Sequence, residues 1–131
     1  MIAIVCLDDR KGMMFNKRRV SSDRTVIEKI EEMCQNRTLW VHPDSLRMFT
    51  GEVRSDEAFL QKAGAQDFCF VENQGLKQYE AEIETLILFW WNRRYPADVY
   101  LELDLDEWEL KSREEFEGYS HTKITKEVYQ R

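Results

Sequence analysis

Five basic residues fall within ten positions near the start of the chain, Arg10, Lys11, Lys17, Arg18 and Arg19, interleaved with Gly12 and Asn16 in "RKGMMFNKRR". Guanidinium and ammonium groups gathered on one loop hold a phosphate or a carboxylate; the same gathering on an ordinary surface is only solvated charge. Both readings stay open, and Gly12, Asn16, Lys17, Arg18 and Arg19 are the candidate ligand-binding residues. Asp23 follows in "VSSDRTVIEKI" and is the candidate catalytic residue. An acid at the junction of a basic loop and a helix either belongs to the wall of a site or serves the helix alone. An acid opening a helix has a plainer use, satisfying free N–H groups for about 0.5–2 kcal/mol.

Other constellations are thinner. His42 and His121 are too few and too scattered for zinc, nothing resembles "HxHxDH", and no metal site is expected. Cys6, Cys34 and Cys69 lie in apolar patterns without metal-ligand spacing and read as structural thiols. No Ser/His/Asp or Cys/His arrangement carries a supporting motif. Met13, Met14 and Phe15 either line a ligand cleft or pack a loop, and Trp90 and Trp91 point to opposite faces of one strand.

The elements that must position these residues follow from periodicity. "IAIVCL" is a continuous apolar run with β-branched residues, which predicts a central strand covered on both faces. Val26, Ile27, Ile30, Met33 and Cys34 recur at helical spacing after a cap at Ser21, Ser22 or Asp23. "TLWVH", "DFCFVE" and "TLILFWW" read as further strands, while "PDSLRMF", "SDEAFLQKAG" and "GLKQYEAEI" read as helices, the second capped by Ser55. "WELKSREEF" and "TKITKEVYQ" form a hairpin around "EGYSH". The order β-α-β-α-α-β-α-β-β-β predicts one α/β domain over 1–131, with helices on both faces of a mostly parallel sheet and an antiparallel hairpin at the end.

A chain of 131 residues with 43% apolar content can bury a core without disulfides or metal. No apolar run reaches the length of a membrane span, and "MIAIVCLDD" lacks the basic flank of a signal peptide, so a cytoplasmic protein with no membrane partner is expected. The net charge of −6 argues against nucleic acid as a partner.

Taken together, these segments resemble dihydrofolate reductase over most of the chain. "IAIVCLDDRKGMMFNK" is similar to that family's first strand and substrate loop, "VSSDRTVIEKI" to the helix beginning "LPxD", and "SDEAF" to its "DEA" helix start. "QGLKQY" has the spacing of the "GGxxxY" nucleotide turn, Leu86 to Trp108 tracks "LYLT…GDTxFP…W", and "WELKSREEF…KITKEVYQR" resembles the terminal hairpin. The resemblance implies a dihydrofolate-reductase-like fold, with Asp23 at the acid that holds the pterin ring and Ser45 and Gly75 at the cofactor phosphates.

The departures bear on function. Between Phe49 and Ser55 only a few residues replace two of the family's strands, so a sheet of about six strands is expected. "MGRxT" is here "VHPDS", Gln74 replaces the first glycine of the second phosphate turn, Arg18 and Arg19 replace "PW", and Phe89 replaces the threonine that partners the acid. Losing a glycine removes the close approach that a pyrophosphate needs. The expectation is a binding module that has lost most of the NADPH and folate site and takes a small anionic ligand or an acidic protein, with no cofactor. A small NADPH-dependent reductase of altered specificity is the alternative. The sheet edge left by the shortening leaves room for a homodimer.

Overall fold

The computed structural model describes residues 1–131. Its principal strands are β1 (Ile2–Leu7), β4 (Leu39–Val41), β5 (Arg54–Ser55), β6 (Phe68–Phe70), β7 (Thr85–Trp90), β9 (Glu109–Phe116) and β10 (Ile124–Gln130). They form one sheet in the order β5-β4-β6-β1-β7-β10-β9, parallel from β5 to β7 and antiparallel through the terminal β9–β10 hairpin. The apolar run of β1 is explained by its place: it pairs with β6 on one side and β7 on the other, and both faces are covered.

Alternation along β1 divides the core in two. Ala3, Val5 and Leu7 face Phe59, Leu60, Leu76, Ile83, Leu101 and Trp108. Ile4 lies on the opposite face with Val26 and Ile30 of helix α1 (Arg24–Met33), Phe49 and Trp91. Trp90 packs with the first cluster and Trp91 with the second, as the period of two requires. No helix is long and apolar enough to cross a membrane.

Four expectations are corrected. The sheet has seven strands rather than about six, because Arg54 and Ser55, in the shortened segment, still pair with Trp40 and Val41 as an edge. The helix expected over Ser55 to Gly64 is only α2 (Phe59–Lys62): Ser55 is committed to the edge strand, and Asp56 instead accepts from the Ala58 N–H at 2.7 Å. The segments expected as helices at "PDSLRMF" and "GLKQYEAEI" are 3-10 helices, Pro43–Met48 and Lys77–Glu82. Finally, the loop after β1 is itself sheet. β2 (Gly12–Phe15) pairs antiparallel with β3 (Arg18–Arg19) and with β8 (Val99–Tyr100), forming a second sheet of three strands. Asn16 and Lys17 make the β2–β3 turn with φ of 49° and 64°, the left-handed pair that a two-residue hairpin needs.

A basic cleft with an acidic floor

The β2–β3 hairpin leans over the carboxyl ends of β4 and β6 and encloses a cleft of about 1220 Å³. Ligands in open α/β sheets enter at this end of the strands. Asn16, Lys17, Arg18 and Arg19 line one wall, His42, Ser45 and Arg47 the other, and Glu72 and Asn73 after β6 contribute as well. Four basic residues face three carboxylates, those of Asp44, Glu72 and Asp98, so the cleft is locally positive on a chain whose net charge is −6.

The basic residues are not equivalent. Glu72 is 8% exposed, and its carboxylate accepts from Arg19 Nε at 2.8 Å and a second guanidinium nitrogen at 3.1 Å. Ser45 Oγ donates to the same carboxylate at 2.6 Å. The hydrogen bond to Glu72 holds the Arg19 guanidinium more firmly protonated than usual, although partial burial opposes it. Arg19 and Ser45 are thereby committed to Glu72. Lys17, Arg18 and Arg47 remain exposed around the mouth. The Oδ1 of Asn73 is buried without a hydrogen-bond partner, an acceptor that a ligand's donor would satisfy.

Gly12 and Gly75 stand outside the lining. Gly12 donates to the wholly buried Asp8 at 2.6 Å, and a Cβ on it would lie 2.6 Å from the Cβ of Ala97. Its glycine identity therefore serves the packing of the loops that Asp8 joins, since Asp8 also accepts from the N–H groups of Arg10 and Tyr95. At Gly75 a Cβ would collide with the carboxylate of Glu102, so an acid covers this turn.

Asp23 is buried, and it caps α1 by accepting from the Thr25 N–H at 2.8 Å. The same carboxylate accepts from the backbone of Tyr119 and Ser120, each at 2.9 Å, from Ser120 Oγ at 3.2 Å, and from His121 Nδ1 at 2.8 Å. Burial by itself would raise its pKa, but the donors of Ser120, Tyr119, His121 and Thr25 outweigh it and hold the carboxyl well below the usual range. Both oxygens are thus occupied by the loop between β9 and β10.

Sequence reasoning missed Glu72, Asn73, Arg47 and the His121 partnership. Glu72 had a local signal, an acid just beyond an apolar strand. His121 had none, because it meets Asp23 from 98 positions away.

No family model matches the chain, and no curated protein matches it. Among solved structures it is similar to a dihydrofolate reductase from Enterococcus faecalis complexed with NADP(H) and RAB-propyl, with a TM-score of 0.70. That likeness covers 99% of this chain and 95% of the other, with 12% of residues identical. It establishes the fold.

Proposed function

We propose that this dihydrofolate-reductase-like fold is a binding module for a small anion and not a folate reductase. One observation carries the reading: both residues that the resemblance assigns to cofactor phosphates meet a carboxylate, Ser45 donating to Glu72 and Gly75 lying beneath Glu102. A fixed negative charge about 4 Å from a phosphate costs roughly 1–4 kcal/mol at effective dielectrics of 80 to 20. Asp23, with its oxygens occupied, offers nothing to a pterin edge unless the β9–β10 loop gives way. Lys17, Arg18 and Arg47 are the cations free to hold a compact phosphate- or carboxylate-bearing ligand, with Asn73 accepting from its polar part. An acidic segment of another protein would use the same cations.

The second reading, an NADPH-dependent reductase of altered specificity, draws support from the NADP(H) bound to the Enterococcus enzyme. Calorimetric titration and thermal shift with inorganic pyrophosphate and with NADPH, on wild type and E72Q, separate the two. The expected result is saturable, salt-sensitive pyrophosphate binding that tightens about 5–10-fold in E72Q, equivalent to about 1–1.4 kcal/mol, with no response to millimolar NADPH. Saturable stabilisation by NADPH, about 2.7 kcal/mol at a hundredfold excess over Kd, would replace this reading with the reductase. Absence of any anion binding would remove the anion site.

A further inference from the structure

The acid taken away from the cleft is given to a histidine, and the histidine faces a serine. His121 Nδ1 lies 2.8 Å from Asp23 Oδ2, and Ser21 Oγ lies 2.8 Å from His121 Nε2. We infer that Ser21, His121 and Asp23 form a nucleophilic triad that hydrolyses small carboxylic esters.

The chemistry follows from which atoms can carry protons. Asp23 is ionised and only accepts, so Nδ1 must hold the proton between them. In the neutral imidazole Nε2 is then bare and accepts from the Ser21 hydroxyl. This is the arrangement that activates a serine, recognised by geometry and roles rather than by sequence order. The imidazole is held in place from a third direction by Trp91, whose ring stacks on it at 4.7 Å between centroids and 26° between planes. His121 and Asp23 are buried, whereas Ser21 is partly exposed, the order of access that a nucleophile and its supports require.

Val20, Tyr95 and Pro96 are among the residues lining a nearby pocket of about 400 Å³, whose lining does not include Ser21 itself. Tyr95 joins the pocket to the triad: its hydroxyl donates to Ser21 Oγ at 3.4 Å and lies 3.5 Å from His121 Nε2. It is a side-chain donor beside the position where negative charge develops on an attacked carbonyl. The volume is enough for a short acyl group.

In the acylation step the Oγ–carbonyl carbon bond forms as the hydroxyl proton passes to Nε2. The bond from that carbon to the alkoxy oxygen breaks, and the leaving alcohol takes the proton from Nε2. Water then attacks the acyl-serine with the same transfers, releasing the acid and restoring Ser21. Ser21 and His121 are the catalytic residues. Asp23 is a positioning residue, acting through the imidazole.

The test is covalent labelling of the full chain with an alkyl fluorophosphonate, mapped by peptide mass spectrometry, together with hydrolysis of p-nitrophenyl acetate. Wild type is expected to take one adduct, on Ser21, with loss of fluoride, and to hydrolyse the ester with a burst. S21A should lose both. D23N retains an acceptor for the helix cap, and its labelling should slow about 100-fold or more, measured where circular dichroism shows the variant folded. An adduct elsewhere, no adduct in wild type, or a folded D23N that labels at the wild-type rate would overturn the triad. The adduct map on wild type decides the matter even if either variant fails to fold.

Discussion

Two oxygens of Asp23 receive five hydrogen bonds, and three of the donors are backbone N–H groups that a side-chain substitution cannot move. The carboxylate therefore contributes to stability through its charge as well as its geometry. Its folded pKa is depressed, so the stabilisation is complete above the unfolded aspartate value of about 3.9 and is lost as pH falls through the lower folded value. Urea melts of wild type should weaken steeply below about pH 4. D23N should be less stable by about 1–3 kcal/mol at pH 7, with a flatter acid limb. Parallel limbs for the two proteins would show that Asp23 is not the titrating clamp. At this scale the sequence exposed the acid and its cap, since both lie within three positions, but not the four contacts brought by residues 119 to 121.

Among the elements, the β2–β3 hairpin decides what the cleft contains. Its two-residue turn places Asn16 and Lys17 in the left-handed region, which lets Arg18 and Arg19 return along β2 and brings Arg19 onto Glu72. Lysine pays a steric cost there that glycine avoids, so K17G should match wild type or exceed it by up to about 1 kcal/mol, while its anion affinity falls. The β-branched K17V should lose about 1–2 kcal/mol. Equal melting temperatures for K17G and K17V would show that the turn is not left-handed. The hairpin was hard to read because "GMMF" is four residues long and its partner β8 lies more than eighty positions away. Asn16 alone is the kind of residue that favours such a turn.

Across the whole molecule, the three cysteines report on the integrity of both core clusters. Burial pushes Cys34 and Cys69 up to about 12, and burial together with the Glu72 charge pushes Cys6 well above an ordinary thiol. All three should be silent toward a thiol reagent at pH 8 in the native protein, and all three should react in guanidinium chloride; fast reaction of Cys69 in native protein would mean that the centre of the sheet opens readily. The strands that carry Cys6 and Cys69, and β7 beside them, were legible because burial on both faces of a sheet demands uninterrupted apolar residues, a rule visible in "IAIVCL", "DFCFVE" and "TLILFWW" one segment at a time. The amphipathic stripe of α1 and the terminal hairpin were legible for the same reason, being local periodicities. By itself the sequence determined the α/β class, the central strands and the basic loop with its acid. Only tertiary structure decided what those charges meet: Arg19 reaches Glu72 across 53 positions and Asp23 reaches His121 across 98. Such pairs leave no periodic trace, because a side chain's partner is set by where the sheet order brings distant loops together.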